Sequence, residues 1–118
     1  MTKVAVFVFS DPGTDESLGR VVNALEAVKE FREAGHEARL YFDGTGTRWP
    51  KELTRKDHKA NALYESVKDK TAGVCRFCAT VFGAKDSIEA SKLKLIDEFD
   101  QHISLTKLLA DDFHIMNF

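Results

Sequence analysis

The chain has little of what marks a secreted, membrane-spanning or nucleic-acid-binding protein. Its 118 residues include two cysteines, too few for the disulfide framework of a small secreted domain. The apolar run Val4–Phe9 is too short for the core of a signal peptide, and no small-residue cleavage site follows it. A net charge of −2 argues against a nucleic-acid binder, which is normally basic. We therefore expect a cytoplasmic protein with reduced cysteines, bound neither to a membrane nor to nucleic acid.

The composition is that of one ordinary globular domain. Hydrophobic residues make up 43% of the chain and charged residues 31%, which excludes a disordered protein. Internal repeats, low-complexity tracts and linkers are absent. The sequence thus predicts a single domain over residues 1–118, long enough to bury a core without disulfides or metals.

Strand-like and helix-like segments alternate along the chain. The unbroken run Val4–Phe9 is typical of a strand buried on both faces of a parallel sheet. Further strands are predicted at Ala38–Phe42, at Ala72–Val74, around Leu93, Leu95 and Ile96, and at His114–Phe118. Helical spacing of apolar residues between them indicates crossover helices. The predicted fold class is therefore α/β, a three-layer flavodoxin-like fold with a mainly parallel sheet of about five strands.

Capping residues predict where the helices begin and end. The first helix should begin at Thr14 or Ser17 and end before Gly35. Asp86 and Glu89 have capping-box spacing for a short helix, and Ser104 can cap the last helix.

Ligands of a parallel sheet gather beyond the carboxyl ends of its strands. Four segments should therefore meet at this edge of the molecule: Ser10–Thr14, Asp43–Gly46, Cys75 and Asp97–His102.

Residues 71–83 are the candidate reactive segment, because they contain both cysteines at CxxC spacing. The strand before Cys75 and the helix stop at Gly83 place Cys75 at a strand-to-helix junction. There the helix N-terminus and the charge of Arg76 should lower the pKa of Cys75 below that of a free cysteine. Cys75 is the candidate nucleophile and Arg76 its electrostatic support. Cys78, one turn further on, should be less exposed and serve as a resolving or second thiol.

His102 is a candidate supporting residue. It could lie near Cys75 and act as a proton donor or thiolate partner, although a solvated loop position is commoner for such a histidine.

The chain resembles the DsrE-like family of small sulfur-relay proteins (DsrE, DsrF and TusD type) over nearly its whole length. The resemblance rests on an N-terminal strand followed by an acidic loop, and on Gly35-His36-Glu37 leading into a strand that ends Tyr41-Phe42-Asp43-Gly44. It also includes Cys75-Arg76-Phe77-Cys78 followed by Gly83, and then an amphipathic helix and a short terminal strand.

This resemblance implies that Cys75 carries sulfur as a persulfide. The partners would be sulfur donor and acceptor proteins, and the chain would assemble as a homotrimer or homohexamer. We expect no cofactor and no metal. The segment Thr47–Lys59, with Trp49 and several basic residues, has no counterpart in the resemblance; it is either a solvated face or a docking surface for an acidic partner or RNA.

Other functions are compatible with the same residues. The cysteines could be small buried hydrophobes in an oligomeric module that binds a ligand or partner without catalysis. A CxxC also fits a thiol-disulfide oxidoreductase. Zinc ranks below both, because one CxxC supplies two ligands and His102 and His114 are too far apart for a finger. Acidic residues at the first helix start, namely Asp11, Asp15 and Glu16, argue against a flavin phosphate there.

Overall fold

Five parallel strands form one sheet in the computed structural model, which describes residues 1–118. Their spatial order is β4-β3-β2-β1-β5, and every neighbouring pair is parallel. The strands are β1 (Lys3–Val8), β2 (Glu37–Phe42), β3 (Thr71–Cys75), β4 (Leu95–Ile96) and β5 (Phe113–Asn117). The predicted α/β fold and all five predicted strands are confirmed.

Six helices connect the strands. They are α1 (Asp15–Glu33), α2 (Trp49–Leu53), α3 (Asn61–Val67), α4 (Arg76–Val81), α5 (Lys85–Ala90) and α6 (Leu105–Ala110). Two 3₁₀ turns, Gly44–Arg48 and Lys68–Lys70, precede α2 and β3. None of these helices combines the length and the hydrophobicity that a membrane-spanning helix requires.

The capping predictions are confirmed at two helices and wrong at one. Thr14 caps α1 in a reciprocal capping box with Ser17, and Ser104 Oγ accepts the Lys107 N–H at the start of α6. Helix α5 begins instead at Lys85, its N-cap residue makes no side-chain hydrogen bond, and Asp86 lies within the first turn. An acidic side chain in the first turn interacts favourably with the helix dipole, although it does not cap the helix.

The sheet separates two apolar cores, because side chains of β1 alternate between its faces. Val4, Val6 and Val8 face the larger core, which α1, α3 and parts of α2 and α5 cover. Ala5 and Phe7 face a smaller core, which contains Leu108 of α6 and also Cys75 and Cys78. The cysteines are therefore part of a packed interior at the carboxyl end of the sheet.

The segment after β2 packs closely against the end of β1, at the carboxyl end of the sheet. A Cβ placed on Gly46 would lie 2.1 Å from the carbonyl oxygen of Val8, so only glycine fits there. Gly44 adopts φ +56°, in the left-handed region that favours glycine. These two glycines hold the end of β2 against the end of β1 and set the position of Asp43.

Candidate functional site

Cys75 ends β3 and is also the N-cap residue of α4. Its sulfur accepts the backbone N–H of Cys78 at 3.5 Å, which satisfies one of the free amides at the helix start. The predicted strand-to-helix junction is confirmed. Both cysteines are free thiols.

His102 lies against the sulfur of Cys75. Its Nδ1 is 3.4 Å from Cys75 Sγ, and the Phe77 ring packs on the imidazole with 4.7 Å between ring centroids. The loop is held in place because Gln101 O accepts the Phe77 N–H at 2.9 Å and Phe99 O accepts the His102 N–H at 2.7 Å. The expectation of a solvated loop position for His102 is wrong. The residue is half-buried and lies beside the Cys75 thiol, which was the alternative position predicted for it.

Asp43 is the site residue that the sequence reasoning missed. It follows β2, and its Oδ1 accepts the Gly44 N–H at 2.8 Å. Its carboxylate, both sulfurs and a His102 ring nitrogen all lie within 4.8 Å of one another. The segment Asp43–Gly46 was expected at this edge, but no role at the site was predicted for the Asp43 side chain.

The segment Ser10–Thr14 follows β1 at this edge, as expected, but it is not part of the cluster around the cysteines. Ser10 O accepts the indole N–H of Trp49 at 2.7 Å, and Asp11 pairs with Arg48 at 3.1 Å. These contacts tie the loop 10–14 to the segment 48–49. Arg55 likewise pairs with its acidic neighbours in the chain, Glu52 and Asp57.

The prediction of an acidic Cys75 is wrong. Burial, helped by the nearby Asp43 carboxylate and opposed by the Cys78 N–H, raises the pKa of Cys75 to about 12. Arg76 is not among the groups that perturb this thiol. Helix α4 has only six residues, so its dipole is small against the desolvation of a side chain that is 0% exposed. At neutral pH Cys75 is therefore a thiol, and its S–H can be donated to His102 Nδ1.

Cys78 is also held in its neutral form. Burial raises its pKa above that of a free cysteine, and Asp43 acts in the same direction, against hydrogen bonds from Cys75 and the Gly44 amide. Cys78 is 9% exposed while Cys75 is fully buried, so the prediction that Cys78 is the less exposed thiol is wrong.

No family model, curated protein or solved structure matches this chain. The site must therefore be interpreted from its own chemistry. A thiol beside an imidazole is the pairing of a nucleophile with a base, and the adjacent second thiol and carboxylate add two groups that can bind a cation or exchange a proton.

Proposed function

We propose that the protein is a sulfur carrier of the DsrE type, which accepts and passes on sulfur as a persulfide on Cys75. The observation that carries this proposal is the 3.4 Å contact between Cys75 Sγ and His102 Nδ1 at the carboxyl edge of the sheet. A base at hydrogen-bond distance can generate the attacking thiolate at the moment of transfer, which a buried thiol requires. The residue pattern shared with DsrE-like proteins supports the same cysteine.

In the loading step His102 takes the proton of the Cys75 thiol, and the thiolate attacks the outer sulfur of a persulfide on a donor protein. A new S–S bond forms at Cys75 while the S–S bond of the donor breaks. The donor cysteine leaves as a thiolate and recovers the proton from His102. In the unloading step His102 takes the proton of an acceptor thiol, and the acceptor thiolate attacks the outer sulfur on Cys75. The S–S bond at Cys75 breaks, and Cys75 leaves as a thiolate that recovers the proton from His102. Neither step needs an oxidant or a reductant.

Access to Cys75 depends on the loop that ends at His102. The His102 ring and the Gln101 carbonyl lie against the sulfur, at 3.4 Å and 3.9 Å, and the sulfur has no exposed surface. A donor must therefore displace part of the loop 97–102 when it docks. In this proposal the resting thiol is protected and becomes reactive only in a complex with the donor.

Cys78 and Arg76 have secondary roles in the proposal. The Cys78 N–H stabilises negative charge on Cys75, and the Cys78 thiol is near enough to act as a second or resolving thiol. Arg76 is half-buried next to the site and does not shift the pKa of Cys75. Its role in the proposal is to contact an acidic donor or acceptor protein.

We also propose that the chain acts in the cytoplasm and self-associates as a homotrimer or homohexamer. Two free thiols persist in a reducing compartment. Large apolar side chains are exposed near the smaller core and the cysteine edge, as expected of a surface that meets another subunit; they include Phe77, Val81, Phe99, Leu105 and Leu109.

Sulfur loading by a cysteine desulfurase with cysteine as the source tests the carrier role. Cys75→Ala should abolish loading, and Cys78→Ala should reduce it modestly, because the acceptor thiol comes from another protein. His102→Asn should slow loading about 10²-fold or more, the usual contribution of a general base, with little change in KM. His114→Asn is the matched control, since His114 is exposed on β5.

Two results would redirect the assignment. If Cys78→Ala is as inactive as Cys75→Ala and the wild type reduces insulin readily, the protein is a CxxC oxidoreductase. If the wild type never gains sulfur, the site belongs to a non-catalytic module that binds a ligand or partner.

A further inference from the structure

Four side chains with metal-binding chemistry converge at the carboxyl edge of the sheet. Cys75 and Cys78 come from the β3–α4 junction, Asp43 from the end of β2 and His102 from the loop before α6. Their ligand atoms all lie within 4.8 Å of one another. A zinc finger was not expected from the sequence, because His102 and His114 are far apart in the chain. The parallel sheet brings His102 and Asp43, rather than His114, to the cysteines.

The spacing of these atoms is close to that around a tetrahedral zinc ion. Bonds of about 2.0–2.3 Å place the ligand atoms of such an ion roughly 3.3–3.8 Å apart. Cys75 Sγ and His102 Nδ1 are 3.4 Å apart and already fit. The widest pair is no more than 4.8 Å apart and would have to close by about 1 Å, which is within reach of side-chain rotation.

We propose that Asp43, Cys75, Cys78 and His102 form a binding site for Zn²⁺ with tetrahedral coordination. Two sulfur ligands favour zinc over magnesium or calcium, which prefer oxygen. Each thiol releases its proton as it binds the metal. Because the protein fills all four positions, the site is of the closed type that holds a metal without a bound water.

The surrounding contacts orient these ligands. The Cys78 N–H points at Cys75 Sγ, the Gly44 N–H binds Asp43 Oδ1, and the Phe77 ring packs on the His102 imidazole. Hydrogen bonds and packing of this kind around the ligands are typical of protein metal sites.

This site does not depend on the proposed sulfur-carrier role. A metal held by both thiols would block Cys75, so metal occupancy and persulfide formation exclude each other. Metal binding would therefore keep the thiols unreactive until the ion is removed.

Cobalt is the probe that tests the site. Reduced, metal-free wild type, titrated with Co²⁺ without oxygen, should bind one ion per chain. The complex should show tetrahedral cobalt absorption with a thiolate-to-cobalt charge-transfer band, and Zn²⁺ should displace it. Cys78→Ser should remove about half of the charge-transfer intensity, since one of two sulfur ligands is lost.

Matched variants separate this site from a cation held by the cysteines alone. Asp43→Asn keeps a side chain able to accept the Gly44 N–H but removes the charged ligand, and it should weaken Zn²⁺ binding by more than about tenfold. His102→Asn should weaken it similarly. Asp97→Asn and His114→Asn change exposed residues and should bind as the wild type does.

Absence of the charge-transfer band in folded wild type would overturn the site, as would equal Zn²⁺ affinities for Asp43→Asn and Asp97→Asn. Sulfur loading of metal-free protein is measured separately. Loading without cobalt binding would overturn the metal site alone, and cobalt binding without loading would overturn the carrier proposal alone.

Discussion

At the scale of single residues, Cys75 has a partner for its proton and surroundings that keep that proton in place. His102 is at hydrogen-bond distance, while burial and the Asp43 carboxylate disfavour the thiolate. The sequence could locate the cysteine but not this balance. Burial and the approach of Asp43 result from packing between segments that are remote in the chain, so neither is visible in the residues adjoining Cys75.

The pH dependence of alkylation tests this balance. Only the thiolate reacts, and its fraction is very small at neutral pH when the pKa is about 12. In chelator-treated wild type, iodoacetamide should therefore modify Cys75 slowly at pH 7, and the rate should keep rising with pH well beyond 9. Trypsin cleaves after Arg76, so mass spectrometry can follow Cys75 and Cys78 on separate peptides. Fast alkylation of Cys75 that levels off near neutral pH would contradict the buried thiol.

Asp43→Asn should speed the alkylation of Cys75 at a fixed alkaline pH. Removing a neighbouring negative charge lowers the pKa of the thiol and raises the thiolate fraction, and asparagine can still accept the Gly44 N–H. Asp97→Asn is the control, because Asp97 is exposed and outside the cluster. The same rate in both variants would show that Asp43 does not act on Cys75.

At the scale of helices and strands, the local signals predicted most of what the structure contains. Thr14 and Ser104 cap helices because a hydroxyl at that position meets free amides wherever the helix packs. The prediction that Asp86 caps α5 failed because an acidic residue is favourable both at the N-cap and inside the first turn. The residue type alone therefore does not decide where the helix begins. The 3₁₀ turn Gly44–Arg48 was missed, since its shape depends on contact with β1.

A pair of glycine substitutions tests that contact. Gly46→Ala would place a methyl group against the Val8 carbonyl, a backbone atom, and should lower the free energy of unfolding by about 1–3 kcal/mol. Gly19→Ala lies in the exposed middle of α1 with open space around it and should raise the free energy by up to about 1 kcal/mol. Urea denaturation measures both. Equal effects of the two substitutions would contradict the close approach at Gly46.

At the scale of the whole molecule, the order β4-β3-β2-β1-β5 explains why the site forms where it does. Because β2 and β3 are adjacent and parallel, Asp43 and Cys75 leave the sheet at the same edge. Alternation of strands and helices predicted the parallel sheet and the meeting of several loops. It could not predict the contacts of the loop 10–14 with the segment 48–49, because these depend on the side chains of Trp49, Arg48 and Asp11.

Assembly is a prediction at the scale of the whole molecule. If the chain forms the proposed homotrimer or homohexamer, light scattering at micromolar concentration should give three or six times the chain mass of 13.3 kDa. A purely monomeric protein would remove this part of the proposal without affecting the chemistry at Cys75.

The central claim is that Cys75 carries sulfur, and its most direct test is mass spectrometry of the protein isolated from its own host. The protein should be alkylated at once, without reductant, and cleaved with trypsin after Arg76 to separate the two cysteines. The account predicts one added sulfur atom on the Cys75 peptide, removable by a thiol reductant, and none on the Cys78 peptide. Added sulfur only on Cys78, or on neither cysteine in protein recovered while sulfur transfer is active, would contradict it.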